Sequence, residues 1–280
     1  MCSAGDSRVP FRFPDPFLPA PSGDWNPSFV DFLTSQHPHL LTRWDAPAPG
    51  GAEAAYPAPH GTTILALRYG AGVLVAGDRQ ATEGTQVAGR RIEKVYRADR
   101  YSAIAIAGVA GPCLEMARLF QTELEHYEKL EGAELSTEGK ANKLAQMVKM
   151  NLPLAMQGLI VIPIFVGYDP RRGEGKIFKY DVTGGRYEET DYYGTGSGGR
   201  DARATMKKLY RPDLEEAEAL RVVLEALYDA AEEDVGTAGP DFVRGIFPTV
   251  KTVTAGGITD VPDAQIRTIY EGILATRKGS

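Results

Sequence analysis

Beyond residue 61, short apolar stretches separated by glycine turns alternate with longer amphipathic stretches. The segments "TTILALRY" and "VLVAGD" flank the glycine turn Gly70-Ala71-Gly72 and therefore predict a β-hairpin. The segments "QVAGRRIEKVYRAD" and "YSAIAIAGVAG" predict two more strands. The pattern thus begins with a group of strands joined by tight turns.

Two predicted helices follow these strands. The segment "PCLEMARLFQTELEHYEKLEG", with Pro112 at its start, carries apolar residues close to a 3.6-residue period. The segment "STEGKANKLAQMVKMNLPLAM" opens with a Ser/Thr cap and continues with one apolar face.

The second half repeats this order. Three strands are predicted in "LIVIPIFVGYD", "GKIFKYDVTGG" and "RYEETDYYGTG", two helices in "GRDARATMKKLYR" and "DLEEAEALRVVLEALYDAAEED", and final strands in "GIFPTVKTVTAGGITDV". Hairpin connections join antiparallel strands, so the order predicts an α+β protein or a layered sandwich of antiparallel sheets.

Residues 1–61 differ sharply in composition. They hold eleven of the nineteen prolines, both tryptophans and three of the four histidines, without a sustained period apart from one helical turn predicted at "SFVDFLTS". A segment of this kind cannot bury a core of its own. Two interpretations stay open at this point: a disordered tail and a removable prosegment.

Charge and cysteine content exclude several classes of protein. The net charge of −6 argues against nucleic acid or an anionic membrane as the main partner. Cys2 and Cys113 provide neither a disulfide framework nor a zinc site. The N-terminus lacks the uninterrupted apolar core of a signal peptide, and no later run reaches membrane-spanning length. We therefore expect a reducing, cytoplasmic setting.

The loop "GTGSGG" matches the dinucleotide pattern G-x-G-x-x-G through Gly194, Gly196 and Gly199. However, the candidate ribose-binding acid, Glu215, falls at the start of a second helix, whereas it should end a strand. The preceding strand also belongs to a predicted hairpin meander. Dinucleotide binding is therefore disfavoured.

Candidate nucleophiles are limited by the shortage of bases. Beyond residue 61 the chain has one histidine, His126, on a helix face expected to be solvated, and one cysteine, Cys113, in the first turn of a helix. Ser-His-Asp and Cys-His arrangements are therefore disfavoured. An N-terminal Ser, Thr or Cys can use its own α-amine as base, because the pKa of that amine is about 7.7–8.0. Thr62, directly after Gly61, suits this role.

The stretch "HGTTILALRYGAGVLVAGDRQATEGTQVAGRRIEKVYRADRYSAIAIAGVAG" resembles the start of a catalytic proteasome β subunit of the actinobacterial type. The resemblance continues through "GTGSGG" and "EEDVGTAGPD" and covers essentially all of 62–280. It implies the N-terminal-nucleophile hydrolase fold, a four-layer αββα sandwich of antiparallel sheets. It also implies autolytic cleavage between Gly61 and Thr62, so that 1–61 is a prosegment and 62–280 the mature catalytic domain.

The resemblance implies a role for each matching residue. Thr62 is the nucleophile of a threonine endopeptidase, Lys94 lowers the pKa of its hydroxyl, and Asp78 keeps that lysine charged. The backbone N–H of Gly108 stabilises the tetrahedral oxyanion. Three further residues hydrogen-bond around the terminal amine: Ser197, Asp234 and Thr237. Thr237 stands where many relatives have serine and keeps the hydroxyl, whereas Thr63 is expected to be only the first residue of a strand.

The family's first substrate pocket is lined in this sequence by four apolar residues: Ala81, Ile92, Ile106 and Ala110. A pocket without a fixed charge favours large hydrophobic or aromatic side chains, which is a chymotrypsin-like preference. Backbone groups of Thr82, Gly108 and Ala110 would pair with an extended substrate as an added antiparallel strand.

The resemblance also implies an assembly. Homoheptameric β rings would stack in pairs between two α-subunit rings, and a proteasomal ATPase ring would control access for unfolded proteins or those carrying a ubiquitin-like tag. Neither a metal nor an organic cofactor is implied, and neither nucleic acid nor a membrane is a partner.

Two other functions and several ordinary structural roles remain as alternatives. The chain could be another N-terminal-nucleophile amidase acting on a small amide, or a non-catalytic structural ring subunit. Taken singly, Lys94 and Asp78 could form a surface ion pair, Ser197 could be a turn residue, and Asp234 could be the exposed end of an acidic helix.

Overall fold

The computed structural model describes residues 61–83 and 86–278. Its strands are β1 (Thr63–Tyr69), β2 (Gly72–Gly77), β3 (Ala81–Glu83), β4 (Gln86–Gly89), β5 (Val95–Arg97), β6 (Ser102–Gly108), β7 (Val161–Asp169), β8 (Glu174–Tyr180), β9 (Arg186–Glu189), β10 (Tyr192–Gly196), β11 (Thr249–Thr254) and β12 (Gly257–Asp260). Its helices are α1 (Ala110–Glu131), α2 (Thr137–Met150), α3 (Leu152–Ala155), α4 (Gly199–Leu209), α5 (Glu216–Glu233) and α6 (Asp263–Lys278).

The strands form two five-stranded sheets and one short ribbon. The first sheet has the order β10-β1-β2-β11-β12, the second has the order β5-β6-β7-β8-β9, and β3 pairs with β4. Every pairing is antiparallel. The prediction of antiparallel sheets from hairpin connections is therefore confirmed.

Alternating side chains divide the core into three apolar layers. In β1, Leu65 and Leu67 pack on the side of α4, α5 and α6, whereas Ile64 and Ala66 pack against the second sheet. In β6, the alanines at 103, 105 and 107 face the first sheet, while Ile104 and Ile106 face α1 and α2. A strand buried on both faces must be apolar at successive positions, as these two are. The result is the predicted four-layer αββα sandwich.

Three segments differ from the sequence prediction. The stretch predicted as one strand over 186–196 turns at Thr190 and Asp191, so β9 joins the second sheet and β10 joins the first. The stretch 86–99 also divides, because β4 pairs in the ribbon and β5 begins the second sheet. Helix α1 starts at Ala110, two residues before Pro112.

The terminal helix α6 was absent from the prediction, which ended on strands. Its buried residues Ile266, Tyr270 and Ile273 recur at intervals of four and three residues, and Asp263 occupies its first turn. That spacing is a helical signal and it places one face of α6 on the first sheet. None of the helices in the described part of the chain is long and apolar enough to cross a membrane. The helical turn predicted at "SFVDFLTS" and the prosegment lie outside the described residues, except for Gly61.

Candidate active site

The candidate site lies where β1 begins and its neighbours end. In the register of the first sheet, Thr63 is opposite Gly196 of β10, and Ile64 is opposite Gly77 of β2. Asp78 and Ser197 follow these two partners directly along the chain, so the topology carries both to the residue that precedes β1, Thr62. Residues far apart in sequence therefore meet at one edge of the sheet.

Lys94, just before β5, approaches the same edge from the second sheet. Its Nζ donates to Asp78 Oδ1 at 2.7 Å, and the side chains are 5% and 0% exposed. Burial lowers the pKa of Lys94 below its ordinary value, while the charge of Asp78 and its hydrogen bond oppose that effect. The surface ion-pair interpretation of these two residues is wrong, because both are buried.

The Asp78 carboxylate is held by the backbone as well. Oδ1 accepts the N–H of Thr63 at 2.8 Å, and Oδ2 accepts those of Gln80 at 2.9 Å and Ala238 at 3.2 Å. Three backbone N–H groups and the side chain of Lys94 thus hold this carboxylate in one position.

The carbonyl of Gly61 is the acceptor at the centre of the site. The hydroxyl of Thr62 donates to it at 2.6 Å, and Lys94 Nζ donates to it at 3.2 Å. A Cβ at Gly61 would lie 2.3 Å from Thr82 Oγ1 and 2.6 Å from the carbonyl oxygen of Gly236. Only glycine fits this position without displacing its neighbours.

A second group of polar residues surrounds the nitrogen of Thr62. This N–H donates to Ser197 Oγ at 3.3 Å, and Ser197 Oγ donates to Asp234 Oδ2 at 2.5 Å. The hydroxyl of Thr237 also donates to Asp234 Oδ2 at 2.5 Å. Asp234 caps the C-terminus of α5, as the structural alternative proposed, but its carboxylate faces these hydroxyls. Ser197 lies in the turn before α4 and likewise contacts Thr62.

Gly108, at the end of β6, has a backbone that only glycine can adopt. Its φ is +136°, and a Cβ there would lie 2.0 Å from the Ile160 carbonyl oxygen. The N–H of Val109 donates to the carbonyl oxygen of Ile160 at 3.1 Å, next to β7. The N–H of Ile106 donates to the carbonyl oxygen of Lys94 at 2.9 Å, on the opposite side of β6. Because successive N–H groups point to opposite sides of a strand, the N–H of Gly108 points away from β7, to the side of Lys94.

A pocket opens directly beside Thr62 and Lys94. It contains the four residues expected from the sequence: Ala81, Ile92, Ile106 and Ala110. Thr82 is buried beside Gly61 and does not line this pocket.

Sequence reasoning missed three other residues that line this pocket: Glu93, Tyr96 and Cys113. Cys113 follows Ala110 by three residues on α1, and Tyr96 follows Lys94 by two residues into β5, so helical and strand periods would have indicated both. Glu93 makes the lining less apolar than predicted, although its carboxylate accepts the Val95 N–H at 3.2 Å.

The dinucleotide alternative has no support from the fold. The loop through Gly194, Gly196 and Gly199 links an edge strand of an antiparallel sheet to α4. Glu215 caps the N-terminus of α5 through a capping box with Glu218, so its carboxylate is engaged by the helix backbone. Neither feature belongs to the parallel βαβ unit that binds dinucleotides.

The four-layer sandwich, with a threonine directly before the first strand and a buried Lys-Asp pair beside it, defines a protein of the N-terminal-nucleophile hydrolase fold. A family model described as "Proteasome subunit" matches residues 58–242. The chain belongs to the proteasome subunit family, as the sequence predicted.

Individual relatives specify the type of subunit. A "Proteasome subunit beta" of Acidimicrobium ferrooxidans is 57% identical over 223 residues, covering 80% of this chain and 82% of that protein. A protein of the same description from Streptomyces griseus is 51% identical over 274 residues, covering 97% of this chain and 95% of that protein. "Proteasome subunit beta 2" of Thermomonospora curvata is 50% identical over 254 residues, covering 90% of this chain and 89% of that protein. The similarity is thus to β subunits in particular.

Proposed function

We propose that this chain is a catalytic β subunit of a proteasome core particle, a threonine endopeptidase that activates itself by cleavage between Gly61 and Thr62. One observation carries the proposal: the Gly61 carbonyl oxygen accepts hydrogen bonds from both the Thr62 hydroxyl and Lys94. A carbonyl polarised by a buried ammonium beside a hydroxyl is prepared for attack. Under this proposal residues 1–61 are the prosegment and 62–280 the mature domain.

Self-cleavage begins when Thr62 Oγ attacks the carbonyl carbon of Gly61. The C–N bond of the peptide then breaks, the nitrogen takes the hydroxyl proton, and Gly61 becomes an ester on Thr62 Oγ. Water hydrolyses this ester, which frees the Gly61 carboxylate and leaves Thr62 with a hydroxyl and an α-amine. Before cleavage the nitrogen is an amide without basicity, so the chain cannot yet use it as a base.

Peptide hydrolysis then uses the freed amine. The amine accepts the Thr62 hydroxyl proton as Oγ attacks the substrate carbonyl, and the Gly108 N–H stabilises the resulting oxyanion. Collapse transfers a proton to the leaving amine and forms an acyl ester, which water hydrolyses. Lys94, kept charged by Asp78, lowers the pKa of the hydroxyl, while Ser197, Asp234 and Thr237 orient the amine.

The pocket supports a preference for hydrophobic residues before the cut. Four of its lining residues, Ala81, Ile92, Ile106 and Ala110, offer no ionic partner. The two charged residues of the lining are already engaged, Glu93 by the Val95 N–H and Lys94 by Asp78. An unpaired charge would be desolvated there at a cost. In a fluorogenic peptide panel, leucine and aromatic residues should therefore be cleaved far better than lysine or glutamate. A preference for basic residues would contradict the pocket assignment.

The proposed assembly follows the family. Homoheptameric β rings would stack in a pair between two α-subunit rings, in the cytoplasm, and an ATPase ring would deliver unfolded or tagged protein substrates. The alternatives are less well supported. A structural subunit has no need for a buried Lys94–Asp78 pair at a Gly-Thr junction, and an amidase for small amides would need a closed pocket, whereas this one adjoins a strand edge at β3.

Intact mass measurement tests the function. The full chain, purified alone and together with its α subunit, is measured before and after treatment with a peptide epoxyketone. We expect loss of residues 1–61 and one adduct on Thr62. The matched control is Thr62→Ala, which should stay uncut and unlabelled. An uncut and unreactive wild-type chain in the presence of the α subunit would overturn the proposal.

A further inference from the structure

Thr63, expected from the sequence to be only the first strand residue, makes three polar contacts in the site. It is 0% exposed. Its hydroxyl lies 2.6 Å from Thr237 Oγ1 and accepts the N–H of Gly198 at 2.9 Å, while its own N–H donates to Asp78 at 2.8 Å. Side chain and backbone of one residue thus reach both polar groups that surround Thr62.

The direction of these hydrogen bonds can be deduced from the donors available. A threonine hydroxyl carries one proton, and that of Thr237 is used toward the Asp234 carboxylate at 2.5 Å. Thr237 Oγ1 can therefore only accept from Thr63. The result is a directed series in which the Gly198 N–H donates to Thr63, Thr63 to Thr237, and Thr237 to Asp234. Each bond in such a series polarises the next.

Gly198 leaves room for this series. A Cβ at that position would lie 2.6 Å from Thr63 Oγ1 and 2.8 Å from Thr237 Oγ1. The two hydroxyls could not keep their present separation and positions beside a larger residue. Gly198, in the "GTGSGG" loop that precedes α4, therefore allows the hydroxyls of Thr63 and Thr237 to approach each other. This role of the loop has no connection with dinucleotide binding.

We propose that Thr63 is a positioning residue for the threonine nucleophile, an inference that rests on the proposed function. Its hydroxyl polarises Thr237 and so sets how strongly Asp234 accepts from Ser197, the residue that contacts the Thr62 nitrogen. Its N–H fixes the carboxylate that holds Lys94. Thr63 touches neither substrate nor the reacting atoms, and it acts through Asp234 and Asp78.

The inference predicts a specific kinetic change in Thr63→Val, which removes the hydroxyl and keeps the shape. Without the hydrogen bond from Thr63, Thr237 donates less strongly to Asp234. The negative charge of that carboxylate is then less neutralised and stabilises the ammonium form of the nearby Thr62 amine more strongly. The acidic limb of kcat/KM should move to higher pH, by roughly a few tenths of a unit. The value of kcat should fall about tenfold with KM within about twofold, since substrate contacts are unchanged.

Two control variants distinguish a loss of the Thr63 hydrogen bond from a general structural effect of the Thr63→Val substitution. Thr63→Ser keeps the hydroxyl and should restore kcat and the pH profile. Thr252→Val removes a buried threonine hydroxyl from β11, opposite Leu74 of β2 and away from the site, and should leave both unchanged even if thermal stability falls. All variants are assembled with the α subunit, and rates are normalised to the fully processed fraction measured by intact mass.

A downstream variant keeps the test decisive if Thr63→Val fails to fold. Thr237→Val interrupts the same series one step later and should show the same shift of the acidic limb, and in a double variant the two effects should not add. Wild-type kcat and pH profile in processed Thr63→Val, or additive effects in the double variant, would overturn the inference. A wild-type chain that is neither cleaved after Gly61 nor labelled at Thr62 would instead overturn the proposed function.

Discussion

Lys94 Nζ lies 2.7 Å from Asp78 Oδ1, and each of the two charged side chains is the partner that makes burial of the other tolerable. A buried ammonium without an anion loses its proton readily, and a buried carboxylate without a cation is costly. The pair therefore contributes to the chemistry of the site and to folding, and substitutions should affect both.

Asp78→Asn should abolish self-cleavage and destabilise the fold. The amide keeps the shape but leaves Lys94 without an anion, so the lysine is neutral or poorly oriented and no longer polarises the Gly61 carbonyl. Breaking one partner of a buried pair costs about 3–5 kcal/mol. Intact mass measurement should show the uncut chain, and urea unfolding should show the loss of stability.

The matched control for Asp78→Asn is Glu125→Gln, which breaks the exposed pair of Glu125 with Lys129 on α1. We expect no change in cleavage and no measurable loss of stability, because water screens such a pair. Efficient cleavage in Asp78→Asn would contradict the assigned role.

The lowered pKa of Lys94 predicts opposite responses of activity and stability to alkaline pH. In the folded chain Lys94 releases its proton at a lower pH than in the unfolded chain, where the pKa is about 10.4. At a pH between the folded-state and the unfolded-state pKa of Lys94, the unfolded chain binds more protons than the folded chain. Lys94 therefore makes the free energy of unfolding rise with pH in this window. Labelling of Thr62 should meanwhile fall with rising pH, since the neutral side chain of Lys94 no longer lowers the pKa of the Thr62 hydroxyl.

Epoxyketone labelling is measured across this pH window in wild type, and urea unfolding in Thr62→Ala with and without Lys94→Met, since neither of these two proteins is cleaved. The difference between the two uncut proteins largely removes the contribution of the other titrating groups. The stability of the protein that keeps Lys94 should rise with pH relative to the protein that carries Lys94→Met. The same pH dependence of stability in both proteins would mean that the Lys94 pKa is not lowered.

Gly61→Ala should slow self-cleavage strongly. The added Cβ would lie 2.3 Å from Thr82 Oγ1 and 2.6 Å from the Gly236 carbonyl oxygen, so the chain must shift and the Gly61 carbonyl leaves Lys94. A displacement of about 1 Å can cost on the order of a hundredfold in rate. The rate of self-cleavage is measured by following the intact mass over time during assembly with the α subunit. Gly111→Ala is the control, because its Cβ meets nothing within 4 Å, and wild-type processing is expected.

The sequence predicted the sheets well because their cause is local. Glycine turns such as Gly70-Ala71-Gly72 fix hairpins, and successive apolar residues such as Ile64 and Leu65 indicate a strand that is buried on both faces. The boundary between β9 and β10 was missed because the bend at Thr190 and Asp191 contains neither glycine nor proline to mark it. Only the pairing partner, the second sheet for β9 and the first for β10, separates them.

The resemblance named each candidate site residue, and the fold brings Thr62, Asp78, Lys94, Ser197 and Asp234 together. What no local pattern could supply was the contact of Thr63 with Thr237, which lies 174 positions away in the chain. The packing of α5 against β1 creates that contact. Hydrogen bonds between distant hydroxyls leave no period in a sequence, whereas Cys113 could have been inferred from its helical spacing to Ala110.

The thiol of Cys113 should be unreactive in the native protein, although it lines the pocket beside the nucleophile. Burial raises its pKa to about 12 despite the charge of nearby Lys94. At pH 8 the thiolate fraction is then roughly one in ten thousand, against about one in four for a free cysteine. Iodoacetamide should leave Cys113 of the processed chain unmodified, and denaturant should expose it to complete alkylation. Rapid alkylation of the native protein that also blocks peptide cleavage would make the Cys113 thiol a rival nucleophile. The variant Cys113→Ala decides between Thr62 and Cys113 as the nucleophile, and we expect it to retain epoxyketone labelling at Thr62.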